Sequence, residues 1–310
     1  MAQPVASARG KAKQRDPSHS SKRSRALVRR ETISAYLFLL PSLAFFVTFV
    51  VLPMFICVYY SFLDYGLGGI RGFDGLNNDI QLFQDPIFHR GLLNTVLIVV
   101  VAVPSVTAFS LWVSSAIYKM RAFPRSFFRC VFYLPVVTGS VAITVVWKWI
   151  LDPYNGILNQ ILNRGDFDWL GNQSTAIWFI ILILFTTSIG QPIVLYVAAL
   201  GNVDQTLIEA AEVDGATRLQ VFWKIKWPQI MPTTLYVLVI TTINSFQCFA
   251  LIQLLTRGGP LNSTMTIMYQ VYDTAYRLND LGYACAIGVV LAIIIAIFSA
   301  LQFKLAKKDD

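Results

Sequence analysis

The chain has 310 residues, 55% of them hydrophobic and 14% charged, with 25 Lys and Arg against 17 Asp and Glu and a formal net charge of +8. Ordinary soluble domains carry about 25% charged residues, so this composition excludes one. It also excludes a nucleic-acid binder: residues 1–31 hold nine basic and two acidic residues, which supplies almost the whole excess and leaves no basic stripe elsewhere.

That first segment, with KAKQRDPSHSSKRSRALVRR at its centre, is polar and poor in aromatics. It is expected to be a disordered basic tail spanning 1–31, either fixing membrane topology or holding anionic lipid. The apolar run that follows is far longer than the ~7–15 residues of a signal-peptide core, which argues against a cleaved leader.

From residue 32 to 310 the chain reads as one transmembrane domain. Six uncharged windows of 18 or more residues occur: Thr32–Leu63, Gly91–Tyr118, Cys130–Trp147, Trp169–Val203, Trp227–Thr256 and Leu281–Phe303. Crossing a bilayer core takes about 20 mostly apolar residues. The windows predict an all-α polytopic membrane protein with six spans, at about 35–62, 91–118, 130–150, 174–200, 229–255 and 281–304. Pro41, Pro53, Pro104, Pro135 and Pro192 fall inside spans and are expected to bend or break them. Aromatics near span ends, among them Tyr59, Tyr60, Trp147, Trp149, Trp178 and Trp227, suit interfacial belts.

Basic residues orient the spans. The N-terminal tail, Lys119–Arg129, Asp204–Lys226 and the C-terminal tail together hold 19 of the 25 Lys and Arg, and the alternate loops hold 6. Basic loops stay cytoplasmic, so both termini and the 204–228 loop are expected on the cytoplasmic side. Cys57, Cys130, Cys248 and Cys285 have no paired spacing, and His19 and His89 lie in the tail and an outer loop. No metal site, disulfide framework or histidine-centred catalytic site is expected, and no catalytic residue is assigned.

The segment Glu209–Pro232, EAAEVDGATRLQVFWKIKWPQIMP, breaks the pattern of plain connectors. Leu207, Ala210 and Ala211 fall at i, i+3, i+4, and Leu219, Phe222 and Trp223 repeat that spacing, which predicts two short amphipathic helices. Asp214 and Gly215 form the turn, with Asp214 expected to cap the second helix and Gly215 free to take positive φ. Small Ala210 and Ala211 would let a partner's backbone approach closely.

These residues resemble the EAA loop of permease subunits of ABC importers, whose pattern is Glu-Ala-Ala, three residues, Gly, nine residues, Ile-x-Leu-Pro. Glu209, Ala210, Ala211, Gly215, Ile225 and Pro228 match at the right spacing, and Trp227 stands where Leu is usual. Four further segments resemble the sugar-permease branch: YLFLLPSLAFFVTFVVLP, FDGLNNDIQLFQDPIFHRGLLNTV, FYLPVVTGSVAITVVWKWILDPYNGILNQIL and RGGPLNSTMTIMYQVYDTAY. The likeness runs from about Tyr36 to the C-terminus and is nearest to maltose-type and glycerol-phosphate-type permeases, specifically the first member of the permease pair.

The resemblance implies the ABC importer type I permease fold in a bacterial cytoplasmic membrane. It implies a second permease subunit forming a heterodimer, two ABC ATPase subunits, and an extracellular or periplasmic sugar-binding protein as partners. Glu209, Ala210, Ala211, Asp214 and Gly215 would couple the chain to the ATPases. The sequence has neither GxxxxGK[ST] nor an LSGGQ-like signature, so ATP and Mg belong to the partner subunits and this chain binds no cofactor of its own. An enzyme activity is not expected of it.

Candidate substrate contacts are the uncharged polar residues flanking the loop. Asn244 and Gln247 are i, i+3 on one helical face, Ser188 and Gln191 repeat that relation, and Phe246 or Tyr283 would add an aromatic face. Packing hydrogen bonds between helices would retain such residues equally well. The six windows hold no Asp, Glu, Lys or Arg, which points to a neutral sugar. An ion-coupled transporter or channel for a neutral solute is the alternative, and such proteins usually place carboxylates or histidines on the pathway. An integral-membrane enzyme would need a nucleophile–base pair or metal cluster, and none is visible.

Overall fold

The structure is a computed structural model that describes residues 17–306, with side chains described over 32–305. The start of the expected disordered tail, residues 1–16, and the C-terminal basic residues Lys307 and Lys308 lie outside the described residues. The chain divides after Ile56 into two units. The first contains α1 (Pro17–Phe46) and a π-helical turn, Val47–Val51, which leads into α2 (Leu52–Tyr60). The helix therefore starts inside the segment read as disordered. Lys22, Arg23, Arg25, Ala26 and Leu27 are good helix formers, and extending a helix already nucleated by the apolar run is cheap compared with starting one. The π turn ends just before Pro53, which has no N–H to continue the ladder.

The second unit begins with a β-hairpin rather than a loop. β1 (Leu63–Gly66) pairs antiparallel with β2 (Gly69–Phe73), Leu63 opposite Phe73, and Gly66 makes a further bridge to Asp280. The all-α reading is corrected here: strands of four and five residues flank a Leu67-Gly68 turn, with Gly69 at φ 91°. Helices α3 (Asn77–Gln84), α4 (Pro86–Ile117), α5 (Ala122–Thr138), α6 (Ser140–Ile150), α7 (Ile157–Leu162), α8 (Ala176–Ser188) and α9 (Gly190–Gly201) follow. Then come α10 (Gln205–Val213), α11 (Arg218–Val221), a π turn at Phe222–Lys226, α12 (Trp227–Phe246), α13 (Ala250–Leu255) and α14 (Ile267–Tyr272). A last π turn, Asp273–Arg277, precedes α15 (Leu281–Ala306).

Among the described residues, four helical stretches are long and apolar enough to cross a membrane: Thr32–Tyr60, Pro86–Ile117, Arg218–Leu255 and Leu281–Leu305. The count reaches six if α5 with α6 (bent by 100°) and α8 with α9 (bent by 42°) are each one span. The second bend follows from Pro192, which cannot donate to the Ser188 carbonyl four residues back. The first lies at Gly139, φ 81° and ψ 154°, a conformation side chains exclude, and not at Pro135, over which α5 runs on. Pro104 also stays inside an unbroken α4.

Helix α4 is the centre of the second unit. It packs along both α9 and α12 and supplies residues to all three buried clusters: Ile98 and Ala102 to one, Val106, Val113 and Ile117 to another, and Phe88, Val99 and Val103 to the third. Asp85 caps it, accepting from Ile87 N at 2.8 Å through Oδ1. Its Oδ2 accepts from Gln270 Nε2 and Tyr283 OH, both at 2.9 Å. One carboxylate thus ties the starts of α4 and α15 to α14. Ser110 and Ser114 of α4 donate to the Ile189 and Ile193 carbonyls.

Close approach of α5 and α9 depends on Gly190. A Cβ there would stand 2.5 Å from the Phe132 carbonyl oxygen and 2.9 Å from Val136 Cγ2, whereas one at Gly201 meets nothing within 4 Å. Gly190→Ala is expected to destabilise the chain by about 1–3 kcal/mol, the usual range for overpacking, and Gly201→Ala to be near neutral. Thermal unfolding of the purified variants in detergent checks this; equal midpoints would show that the α5–α9 approach carries no stability.

Candidate functional site

A cleft of about 280 Å³ opens where the helix breaks of the second unit converge. Gly139 and Ser140 from the α5–α6 break line it, with Thr187 and Leu184 from the end of α8, and Asn244, Gln247, Cys248 and Phe249 from the α12–α13 break. No charged side chain contributes to the lining. Hydroxyls serve two of these breaks, α8–α9 and α12–α13. Thr187 Oγ1 donates to the Ile183 and Leu184 carbonyls, Ser110 Oγ to Ile189 O at 3.3 Å, and Thr266 Oγ1 to Cys248 O at 3.2 Å. A backbone group freed by a broken helix would otherwise be left without a partner in apolar surroundings, at several kcal/mol (~2–7).

Asn244 and Gln247 stand apart from these satisfied groups. Both are exposed to the cleft, and neither side-chain amide makes a hydrogen bond among the described residues. Their i, i+3 relation holds, because Gln247 is the residue that ends α12. Two free amides present two acceptor oxygens and four donor hydrogens to whatever enters.

The other candidates are elsewhere. Ser188 is half-buried beyond the cleft lining, and Gln191 is exposed on a separate groove between α5 and α9 with Arg129, Cys130 and Tyr133. The 42° bend between α8 and α9 disrupts the shared face that unbroken helical spacing implied for this pair. Tyr283 is buried (5% exposed) with its hydroxyl given to Asp85, and Phe246 is fully buried against Phe298. Phe249 supplies the aromatic face of the cleft instead, stacked in a row with Tyr269 and Tyr272. Neither Phe249 nor Ser140 stood out in the sequence; the Pro-Val-Val-Thr-Gly-Ser run around Gly139 was the available signal for the break beside them.

The Glu209–Pro232 segment holds two helices where its spacing implied them, but only the first, α10, is short; the second, α11, is the opening of a long helix that continues into α12. Asp204 caps α10, its Oδ1 accepting from the Thr206 amide (2.9 Å) and hydroxyl (2.8 Å). Those two bonds hold the Asp204 carboxyl below its usual range, so the cap is present above the ordinary carboxylate pKa and is lost as pH falls through the lower folded value. A Schellman arrangement ends α10: Gly215 N donates to Glu212 O and Ala216 N to Ala211 O, with Gly215 at φ 80°. The cap of the second helix is Thr217, not Asp214. Thr217 and Gln220 form a reciprocal capping box, while Asp214 closes the C-terminus of α10.

Burial sorts the segment into two faces. Ile208 and Val221 are buried and Ala211 packs on the same cluster, so Ala211 belongs to the chain's own core. Glu209, Ala210, Leu207, Val213, Leu219 (69% exposed) and Trp223 (53%) face outward. Trp227 does not disturb the second helix: it stacks with Trp223 and Phe222, and α11 runs through the π turn into α12 without a break. Lys226 Nζ donates to Tyr118 OH at 2.7 Å and sits over its ring, fastening this helix to the end of α4. Among the described residues no His, Cys, Asp and Glu group could hold a metal.

Comparison with known proteins accords with this architecture. Residues 87–308 match the family model of the binding-protein-dependent transport system inner membrane component. The "Probable ABC transporter permease protein YurN" of Bacillus subtilis is 33% identical over 289 residues, covering 91% of this chain and 98% of that protein. The diacetylchitobiose uptake system permease protein NgcF of Streptomyces coelicolor is 32% identical over 84% of this chain and 78% of its own length. By structure, a chain of a bacterial ABC transporter that imports the acidic polysaccharide alginate superposes with a TM-score of 0.77, at 22% identity over 92% of this chain and 99% of that one. The chain belongs to the family of binding-protein-dependent transport system inner membrane components, the permease subunits of ABC transporters.

Proposed function

We propose that the chain is one permease subunit of an ATP-driven importer for a sugar or oligosaccharide. It crosses the bacterial cytoplasmic membrane six times with both termini inside, and pairs with a second permease. Relatives whose names include lactose, diacetylchitobiose and arabinooligosaccharide transport support the substrate class. A structural neighbour in complex with an alginate pentasaccharide-bound periplasmic protein supports delivery by an external binding protein. The observation that carries the reading is the uncharged cleft at the converging helix breaks, with the free amides of Asn244 and Gln247 and the face of Phe249. Sugar hydroxyls require such donors and acceptors beside an apolar surface. A lining without charge favours a neutral sugar over an acidic one.

Coupling follows from one helix. Arg218 to Phe246 is uninterrupted, about 40 Å at 1.5 Å per residue, with the outward-facing loop at one end and the cleft at the other. The Leu207, Ala210, Val213, Leu219 and Trp223 face would seat on the ATPase subunits, with Glu209 as a polar contact and Ala210 permitting close approach. Ile208, Ala211 and Val221 grip the chain's own core from the opposite side, so movement of the docked loop would be carried into α12. ATP hydrolysis would remain with the partner subunits.

Asn244→Ala with Gln247→Ala is expected to lower uptake of the labelled sugar about 30-fold, two neutral hydrogen bonds at about 1 kcal/mol each, while the ATPase subunits still copurify. Unchanged uptake would remove the cleft as the sugar site. Gly215→Val forces a β-branched residue into positive φ at about 1–2 kcal/mol and is expected to abolish uptake with membrane insertion intact; Gly215→Asn, which tolerates that conformation, is expected to retain it. Normal uptake by the valine variant, or uptake that survives ATP depletion, would refute the coupling role.

A further inference from the structure

A second cavity, of about 350 Å³, lies behind the α10–α11 turn where α4 ends and α12 begins. Ser115, Tyr118 and Lys119 line it from α4 and the following turn, Arg218 and Lys226 from the α11–α12 helix, and Glu212 is its single acid. The ammonium groups of Lys119 and Lys226 flank the Tyr118 ring, 5.8 and 5.1 Å from its centroid. Arg125 comes near as well, giving a hydrogen bond to the Tyr118 carbonyl. The two ion pairs among the described residues are Asp64–Arg71 and Asp273–Arg277, so none of these cations is paired, not even with Glu212. Ser115 Oγ is buried at the cavity wall and has no partner among the described residues.

Three unpaired cations gathered around one cavity repel one another, and solvated topology signals would gain by spreading apart. An orphaned buried hydroxyl at the same place costs further free energy. One kind of ligand answers both features: a group with several acceptor oxygens and negative charge. We propose that this cavity binds a phosphate group, held by Lys119, Arg218 and Lys226 with hydrogen bonds from Ser115 and Tyr118. Arg and Lys together suit it, the guanidinium by forked donation and the ammonium as a point charge. Apolar helix begins immediately on both sides of the cavity, at Ile117 of α4 and at Trp227 of α12, which sets it at the depth of lipid headgroups. The phosphate could come from an anionic lipid or from solution, and occupancy would clamp the second helix of the loop to the end of α4. The site stands on this geometry and not on which solute the chain carries.

The test uses the full chain purified in detergent, titrated with dioctanoyl phosphatidylglycerol, with inorganic phosphate, and with dioctanoylglycerol as a phosphate-free control, reading the thermal midpoint. Saturable stabilisation by the phospholipid alone assigns a headgroup site; saturation by inorganic phosphate assigns a free phosphate site. Either is expected to weaken at least about tenfold in half-saturating concentration in Arg218→Gln and Lys226→Gln, since one charge-assisted hydrogen bond is worth that much. Lys119→Gln, at an exposed position beside the Tyr118 ring, serves if the others fail to fold. Lys224→Gln, a basic neighbour outside the cavity, is expected to bind as the parent does. No saturable shift, an equal shift with dioctanoylglycerol, or equal loss in Lys224→Gln would overturn the proposal.

Discussion

The organising constraint of this chain is that a helix broken in apolar surroundings must find partners for the backbone groups it frees. Three breaks line the cleft of the second unit, and hydroxyls reach two of them: Ser110 and Thr187 at the α8–α9 break and Thr266 at the α12–α13 break. Ser110 lies on α4, the helix common to all three buried clusters, and Thr266 caps α14. The breaks are therefore tolerated where neighbouring elements can reach them. That requirement pulls them toward one another and leaves a cleft bounded by helix ends. Helix ends and breaks are where side chains can be aimed into a cavity without dismantling the ladder, which is why the free amides of Asn244 and Gln247 occur there.

The same constraint explains the contrast between the two ends of the Arg218–Phe246 helix. At the cleft end the helix stops, and Gln247 to Phe249 form a hinge of irregular backbone held by Thr266. At the loop end the turn is closed locally, α10 by the Schellman turn at Gly215 and the second helix by the Thr217–Gln220 box, and Lys226 adds a tether to Tyr118. A rigid end and an irregular end on one helix would suit the proposed coupling: a stiff loop would convey a displacement, and the irregular backbone would change shape in response to it.

Much of this was legible in the sequence because it rests on strong, local signals. Hydropathy located the apolar stretches, and the i, i+3, i+4 spacing with Gly215 marked the turn between two helices, though not that the second continues into α12. Where sequence and structure part, tertiary context decides between options that sequence leaves equal. Asp214 and Thr217 are both good cap residues, and only the Schellman geometry at Gly215 assigns one to each helix. Pro135 and Gly139 both break helices, but a proline's missing N–H can be absorbed and a turn at positive φ cannot continue a helix. Tyr283 has the composition of a sugar-stacking residue, yet Asp85, almost 200 positions away, claims its hydroxyl. The hairpin at Leu63–Phe73 is too short to register as a period-2 pattern, and it gains support from the Gly66–Asp280 bridge.

Charge placement completes the physical picture. An ionised side chain at mid-bilayer costs roughly 2.5–3.5 kcal/mol on insertion scales, so a span keeps one only where nothing cheaper serves. Amides are the cheaper solution: they offer both donors and acceptors to a hydroxyl-rich ligand and lose little when water fills the cleft in its absence. The cations instead collect at the ends of α4 and α12, where headgroups and water can solvate them and where the outward-facing loop is anchored. Polarity in the cleft can therefore change without altering the loop, and charge around Tyr118 can change without touching the cleft. The α11–α12 helix joins the two sites, and its geometry is the property that the proposed coupling would need to preserve.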